Sequence, residues 1–375
     1  MKTIFYWAPF NSKIGTVNSV LNSIKSIIKF SNKTVNPYLI DATFEWSKYE
    51  EQYDLIYLRK SKKDFRKLRN KGFFWSRLFF LRIFFSCFLP LKKILKTKKP
   101  DFLIVHLITS LPIILFFLFK FETKLILRIS GEPKLNLLRK FLWKKISRKI
   151  HAVTCPSKET KNLLIESNIF DPEKIHVLYD PIIDISKLKK KKDKIEKFFY
   201  GEKYFLSVGR LTNQKNFSFL ISCFKDLVEL YPDYKLVIIG EGEEKIKLKK
   251  KISKLNLKDQ VFLEGFKSNV FPYMKNSVGL ILTSIYENPG HVLIEAAACD
   301  CSIISSDCPT GPAEFLNYGK AGYIFEVNNK NDFIKNVKNF LNESESEKKM
   351  RKKYLKKETL KYTLFRHYNA LKNII

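Results

Sequence analysis

Two glutamates eight residues apart, Glu287 and Glu295, carry the spacing in this sequence that most clearly points to chemistry. Glu287 follows an apolar run of strand length, whereas Glu295 lies inside "VLIEAAA", which otherwise has the composition of a helix face buried in a core. An ionised carboxylate there is costly unless partners hydrogen-bond to it. A helix starting at residues 289–291 places both acids beyond the end of a strand, where open α/β sheets bind ligands. We therefore expect Glu295 to accept hydrogen bonds from ribose hydroxyls, with an internal ion pair as the alternative.

A second polar group follows the apolar strand pattern of "YFLSVGRLTNQKNFSF", residues 204–219. Gly209 allows close backbone approach, Arg210 offers a planar fork of donors, and Lys215 adds a mobile charge. A helix predicted to begin near Asn216 contributes unpaired N–H groups at its start. The pattern predicts an anion site suited to a diphosphate, and an exposed loop with chance charges is the alternative.

The composition limits the classes of function. The chain has 375 residues, 45% of them hydrophobic, and a formal net charge of +32. Such a charge indicates an anionic partner, either nucleic acid, an acidic membrane surface or a phosphorylated ligand, although coding bias toward Lys, Asn, Ile and Phe accounts for part of it. The six cysteines lack C-x-x-C spacing and read as reduced thiols, and no histidine cluster suggests a metal site.

Apolar runs of strand length alternate with longer amphipathic segments, which is the pattern of parallel α/β domains. Strands are predicted at 3–8, 53–58, 101–107, 124–130, 150–157, 174–180, 204–210, 234–242, 260–266, 278–284, 301–307 and 321–327. The lysine-rich run at 186–199 is expected to connect two domains, at 1–185 and 200–355. A helix at 356–375 is a candidate to pack on the N-terminal domain, and the N-terminus reads as a first strand rather than a signal peptide.

Two apolar segments bear on membranes. Residues 102–119 approach spanning length, but Pro112 divides them into a strand and a helix. Residues 65–96 interleave Arg and Lys with aromatic residues, so a spanning helix would bury charges near its middle. We expect an interfacial helix instead, with a helix packed on its own sheet as the alternative. The residues expected to bind an anionic surface are Arg77, Phe79, Phe80 and Arg82.

Four motifs in the second half occur in a familiar order and spacing: "SVGRLTNQKNF", "VFLEGF", "YENPGHVLIEA" and "SDCPTGPAEFL". With them, residues 200–330 closely resemble the family 4 retaining glycosyltransferases, and the first half resembles them more loosely. The resemblance implies the GT-B fold, in which two Rossmann-like doubly wound domains face each other across a cleft.

The resemblance also implies roles for residues of the second domain. Arg210 and Lys215 would hold the donor diphosphate and stabilise it as the leaving group, Glu295 would bind the ribose, and Glu287 would face the transferred sugar. The remaining positions implied in donor binding are Gly209, Phe266, Gly290, His291 and Val292.

In the first domain, "PDFLIVHL" is similar to the family's strand that ends in a functional histidine, which corresponds to His106. A histidine buried in the core is the alternative. "NSKIGTVNSV" resembles the glycine-rich loop of the family, with Gly15 as a donor contact but Thr16 where a second glycine is common. "ILRISGEPK" also resembles the family, without a definite role. No Asp-x-Asp pair occurs in the sequence, which fits a leaving group neutralised without metal.

The function implied is transfer of a sugar from a UDP- or GDP-sugar to a hydroxyl of a lipid-linked or cell-envelope glycan, with retention and no cofactor. The expected location is cytoplasmic, bound to the inner face of the cell membrane. Three alternatives remain: a sugar-nucleotide epimerase of the same fold, a basic nucleic-acid-binding protein without a recognisable module, and a transferase anchored through residues 73–119.

Overall fold

The structure, a computed structural model, describes residues 1–9, 15–59, 73–131, 133, 135–186, 188 and 201–375. The chain forms two units. The first comprises Met1–Pro181 together with Leu364–Ile375, and the second comprises Ile182–Thr363. Most of the connector predicted at 186–199 lies outside the described residues.

The first unit is built on a sheet of seven parallel strands in the order β3-β2-β1-β4-β5-β6-β7. Its strands are β1 (Lys2–Trp7), β2 (Val35–Asp41), β3 (Leu55–Tyr57), β4 (Phe102–Val105), β5 (Lys124–Arg128), β6 (Ile150–Cys155) and β7 (Ile175–Val177). The strand order reverses direction between β1 and β4, and this is the arrangement in which parallel sheets bind ligands beyond the strand ends.

Helices cover both faces of this sheet, so its strands are buried on two sides. They are α1 (Gly15–Phe30), α2 (Phe73–Lys98), α3 (Ser110–Leu118), α4 (Leu137–Ile146), α5 (Lys158–Glu166) and the C-terminal helix (Leu364–Lys372). One core contains the inner faces of α1 and the C-terminal helix, with Ile24 and Leu371 fully buried. The other contains those of α2, α3, α4 and α5, with Ile83 and Ile146 fully buried.

The second unit has a sheet of six parallel strands in the order β10-β9-β8-β11-β12-β13. The strands are β8 (Tyr204–Val208), β9 (Lys235–Ile239), β10 (Val261–Gly265), β11 (Gly279–Leu282), β12 (Ile303–Ser306) and β13 (Tyr323–Phe325). The helices are α6 (Phe217–Leu230), α7 (Lys245–Lys254), α8 (Phe271–Asn276), α9 (His291–Ala298), α10 (Pro312–Phe315), α11 (Lys330–Leu341) and α12 (Glu345–Leu360).

The twelve strands predicted from apolar runs are all present, but β2 was missed. Its sequence, "VNPYLID", contains Asn36 and Pro37, which are rare inside sheets. Pro37 is tolerated because β3 pairs only with Leu39–Asp41, so Pro37 lies outside that ladder and pairs in register with Ile4 of β1.

The two apolar segments of the first unit form ordinary secondary structure. Residues 102–119 fold as β4 and α3, which confirms the predicted division into a strand and a helix. Helix α2 buries one stripe in the core, and Phe79 in that stripe is only 1% exposed. The expectation that Phe79 faces a membrane is therefore wrong. Within the described part of the chain, no helix combines the length and apolar character needed to cross a bilayer.

Candidate functional site

The loop after β8 is held against the end of β11. It runs through Gly209 and a short 3-10 turn, Asn213–Lys215, before α6 begins. The hydroxyl of Thr283, just after β11, donates to the carbonyl oxygens of Lys215 at 3.0 Å and of Asn216 at 3.3 Å. Asn216 has a left-handed backbone (φ 55°) and turns the chain into the helix. Two neighbouring strands thus fix the position from which the Lys215 side chain extends.

Lys215 and Glu287 form an ion pair at this edge of the sheet. The Lys215 ammonium contacts Glu287 Oε1, and the two side chains are 15% and 8% exposed. The lysine stem passes over Gly209, where an added Cβ would lie 3.2 Å from Lys215 Cδ and Cε. Gly209 therefore leaves room for the lysine stem to reach the carboxylate.

Hydroxyls and backbone groups hold Glu287 in place. Ser284 Oγ donates to Glu287 Oε1 at 2.6 Å. The Glu287 N–H donates to the carbonyl of Pro309 at 2.7 Å, and Thr310 donates to the Glu287 carbonyl from its N–H and its hydroxyl, both at 3.0 Å. Sequence reasoning missed Ser284, which ends a predicted strand, and Thr310, which lies in the motif "SDCPTGPAEFL", although both have the hydroxyls expected of carboxylate supports.

Helix α9 begins next to this carboxylate. Gly290, with φ 84°, occupies the position before the helix, and a Cβ there would lie 3.8 Å from Glu287 Cβ. His291 opens the helix and is half-buried, Val292 is buried, and Glu295, one turn further, is half-buried. The carboxylate of Glu295 is therefore not sealed into the core as its apolar neighbours are.

Arg210 and Phe266 flank this region on the loops after β8 and β10. Arg210 is exposed, and Phe266 is 63% exposed immediately after Gly265, whose φ is 70°. Both side chains are thus accessible to a ligand at this edge.

Two glycines that were not predicted lock the loop after β8 to the loop after β9. A Cβ at Gly240 would lie 1.8 Å from the Gly209 carbonyl oxygen, and one at Gly242 would lie 2.3 Å from that of Leu211. The Leu211 N–H also donates to the Glu241 carbonyl at 3.0 Å. Only glycine permits this backbone approach. The sequence signal was "GEG" directly after a strand.

In the first unit, His106 directly follows β4. Its N–H donates to the Trp7 carbonyl at 2.9 Å, and its half-buried ring stacks on Tyr6 with centroids 5.8 Å apart. Burial, with a smaller contribution from the charge of Arg128, lowers the pKa of His106 to about 3. The ring is therefore neutral at neutral pH and can donate one hydrogen bond and accept another.

The structure gathers part of the predicted set. Gly209, Lys215, Glu287 and Gly290 lie together in the second unit, with Arg210 and the start of α9 adjacent. His106 and Gly15 belong to the first unit, where Gly15 opens α1 and residues 11–14 of its predicted loop lie outside the described residues. The roles assigned to these residues stay predictions.

Two family models match consecutive parts of the chain. The model described as Glycosyltransferase Family 4 matches residues 48–184, and the one described as Glycosyl transferases group 1 matches residues 189–357. Their order corresponds to the two α/β units.

Curated relatives include an uncharacterized glycosyltransferase of Methanocaldococcus jannaschii, 33% identical over 60% of this chain and 60% of the relative. Another is the N-acetylgalactosamine-N,N'-diacetylbacillosaminyl-diphospho-undecaprenol 4-alpha-N-acetylgalactosaminyltransferase of Campylobacter jejuni, 33% identical over 59% of this chain and 58% of the relative. The match therefore spans about three fifths of the length of these relatives.

Among solved structures, the Anabaena protein HepE in complex with UDP superposes with a TM-score of 0.73 over 100% of this chain and 99% of that one, at 13% identity. The likeness confirms the predicted GT-B fold of two Rossmann-like domains. From the two matched models and this fold, we conclude that the chain belongs to the group 1 glycosyltransferases, with a family 4 glycosyltransferase domain preceding the group 1 domain.

Proposed function

We propose that this protein is a retaining glycosyltransferase that moves a sugar from a UDP- or GDP-sugar to a hydroxyl of a lipid-linked or cell-envelope glycan. The observation that carries the proposal is the Lys215–Glu287 pair, set beside Gly209 and the exposed Arg210 at the carboxyl edge of a parallel sheet. This is the edge at which such sheets bind nucleotides.

The pair explains how binding and catalysis are linked. A lysine ammonium has three donors on a flexible stem, so a diphosphate can replace Glu287 as its partner. Glu287, still held by Ser284, is then available to hydrogen-bond the sugar hydroxyls. As the bond from the anomeric carbon to the diphosphate breaks, charge on the departing oxygens is stabilised by Lys215 and Arg210. No metal ion is needed in this scheme, so transfer should persist in EDTA.

His106 would take part in the reaction as a neutral group. Because its pKa is lowered to about 3, it serves as a hydrogen-bonding partner of the sugar rather than as a cationic acid.

The donor half of the proposal is tested by a thermal-shift panel of UDP- and GDP-sugars. One nucleotide class should raise the melting temperature of the wild-type protein and fail to raise that of Lys215→Ala and Glu295→Ala. Lys247→Ala is the matched control, since its side chain is 65% exposed on α7 of the same unit. Stabilisation retained in Lys215→Ala would contradict the site. Product NMR then distinguishes retained transfer from epimerisation of the donor.

The acceptor half rests on a surface of the first unit that we call the apolar face. On α2 it exposes the stripe Leu78, Leu81, Phe85 and Leu89, opposite the stripe buried in the core. Helices α3 and α4 add Phe117, Leu118, Leu137, Leu138 and Phe141, all at least 40% exposed. Clustered exposed apolar residues mark an interaction surface.

Cations accompany these side chains. Arg77, Lys93 and Lys96 of α2 and Lys140 of α4 are exposed, within a chain of net charge +32. Apolar side chains flanked by Lys and Arg favour the boundary between the headgroups and acyl chains of an anionic leaflet. The Campylobacter relative is named for a diphospho-undecaprenol acceptor, which supports a lipid-linked acceptor here.

Vesicle co-sedimentation tests this part separately. The double variant Phe85→Asp/Leu89→Asp should release the protein from phosphatidylglycerol-containing vesicles, while the control Ile246→Asp, 70% exposed on the lysine-rich α7, should bind as the wild type does. Equal binding of both variants would contradict the apolar face as the docking surface.

A further inference from the structure

A buried polar cluster lies under His106 in the first unit. It surrounds a cavity of about 10 Å³, room for about one water molecule, and its polar lining comprises Ser19, Ser23, His106, Arg128, Thr154, Asp180 and His367. Arg128 donates to Asp180 Oδ1 at 2.7 Å and to the Leu178 carbonyl at 2.6 Å. The cluster is assembled from separate strands and two helices, and His367 comes from the C-terminal helix.

His367 is the end of a hydrogen-bonded chain through this cluster. Its Nδ1 lies 2.7 Å from the Tyr179 carbonyl oxygen, and its Nε2 lies 2.9 Å from Ser23 Oγ. Ser23 Oγ lies in turn 2.9 Å from the hydroxyl of Tyr6. Residues 6, 23 and 367 are thereby joined although the chain separates the last two by 344 positions.

The direction of every bond in this chain is determined. A carbonyl only accepts, so His367 Nδ1 carries the proton and donates to Tyr179. Burial lowers the pKa of His367 to about 4, so the ring is neutral and Nε2 accepts from the Ser23 hydroxyl. Ser23 must then accept from the Tyr6 hydroxyl. The chain runs from Tyr6 through Ser23 to His367.

Tyr6 connects this chain to His106. The two rings stack with centroids 5.8 Å apart and an interplanar angle of 27°. Among the described residues, the His106 ring nitrogens have no hydrogen-bond partner. Packing therefore orients this ring, and the stacked Tyr6 ring is part of that packing.

We infer that His367 is a positioning residue for His106, acting through Ser23 and the Tyr6 ring, and that the C-terminal helix is thereby part of the site around His106. This role rests on the proposed function, in which His106 faces the reacting sugar. His367 acts through its hydrogen bonds to Tyr179 and Ser23, and no described hydrogen bond joins it to the His106 ring. It fixes the hydroxyl of Tyr6, and so the plane against which the His106 ring lies.

Two substitutions at position 367 distinguish the hydrogen bond to Tyr179 from the one to Ser23. Asn reaches the position of Nδ1 and keeps the bond to Tyr179, whereas Gln reaches that of Nε2 and can still accept from Ser23. His367→Asn should lower kcat by about 10-fold, because small misplacements of a reacting group are costly. The KM for the sugar nucleotide should change by less than about twofold. His367→Gln should retain most of the wild-type kcat.

Tyr6→Phe and a control complete the kinetic design. Tyr6→Phe removes the first hydroxyl, and the Tyr6→Phe/His367→Asn double variant should lose no more than either single one, because both interrupt one chain. His151→Asn is the control, since His151 Nε2 bonds the Ile374 carbonyl at 2.9 Å and so contacts the same C-terminal segment outside the chain. If His151→Asn lowered kcat as much as His367→Asn, His367 would serve only to hold the C-terminal helix in place, and the proposal would be overturned.

NMR of histidine-labelled protein tests the inference without activity. The His106 ring signals should shift in His367→Asn and Tyr6→Phe but not in His367→Gln or His151→Asn. Unchanged His106 signals in His367→Asn overturn the positioning role whatever the enzyme does. If the His106 signals shift as expected and no sugar nucleotide reacts with the wild type, the proposed function fails and the coupling of His367 to His106 stands.

Discussion

Each unit contains a largely buried ion pair, and the two pairs are built differently. In the first unit, Arg128 and Asp180 are 2% and 9% exposed, and the guanidinium also bonds a backbone carbonyl. In the second, the single ammonium of Lys215 contacts Glu287, and the Lys215 side chain is 15% exposed. A planar fork with two fixed acceptors is rigid, whereas a single ammonium on a flexible stem can change partners. The first pair is suited to structure and the second to exchange with a ligand.

Breaking the rigid pair should give the largest effect. Arg128→Met leaves the Asp180 charge buried without its guanidinium, and loss of one partner from such a pair costs about 3–5 kcal/mol. We expect a decrease of that size in the free energy of unfolding measured with urea. Arg148→Met, an exposed arginine of the same unit, should change it by less than about 0.5 kcal/mol. If Arg128→Met and Arg148→Met lowered the free energy of unfolding equally, the Arg128–Asp180 pair would have no special structural role.

Lowering the pH should destabilise the first unit through His367, which lies in the same buried cluster as Arg128 and Asp180. Burial, opposed by the Tyr179 carbonyl, lowers the pKa of His367 from 6.5 to about 4, with Arg128 and Asp180 contributing in opposite directions. Between these values the unfolded chain binds a proton that the folded protein does not. The free energy of unfolding should therefore fall as pH drops below 6.5, by about 1.4 kcal/mol per pH unit for this one group.

The measurement is urea unfolding from pH 7.5 to 5 for the wild type and His367→Gln. The variant lacks this titrating group. Its free energy of unfolding should therefore fall less steeply with decreasing pH, by about 1.4 kcal/mol per pH unit. Identical slopes would show that the His367 ring is protonated equally in both states.

Ser284→Ala tests the Lys215–Glu287 pair of the second unit. Its hydroxyl holds Glu287 Oε1 at 2.6 Å, so the carboxylate loses one fixed donor. We expect kcat/KM for transfer to fall by about fivefold, corresponding to the loss of about 1 kcal/mol from one hydrogen bond. Ser277→Ala, whose hydroxyl bonds the Met274 carbonyl at 3.1 Å, should retain wild-type kcat/KM. A fall of the same size in the control would exclude a specific role for Ser284.

The two regions also differ in what their sequence reveals. The groups around Lys215 and Glu287 lie in two short motifs directly after apolar strands, so strand prediction and motif spacing together place them on one sheet edge. The supports Ser284, Gly240 and Gly242 were missed because a hydroxyl or a glycine has a role only through a partner far along the chain.

The cluster around His106 shows the opposite case. His106 was identified by resemblance, and Arg128 lies in a motif to which no role was assigned. Asp180 and His367 join them only through tertiary packing, and the prediction of a C-terminal helix on the N-terminal domain did not single out His367. Strand β2 was missed for a related reason, since the tolerance of Pro37 depends on where β3 pairs.

The glycines at 240 and 242 have a practical consequence for redesign. Between them, Glu241 carries a side chain that is 47% exposed and bonded to Lys245, and its Oε1 would lie 3.0 Å from a Cβ at Gly265. Its backbone is fixed by contacts that no other residue type at 240 or 242 can make. A library at position 241 alone would thus vary the chemistry beside the Gly265–Phe266 turn while leaving the loop geometry intact, which makes this position a natural starting point for altering the nucleotide preference of the proposed donor site.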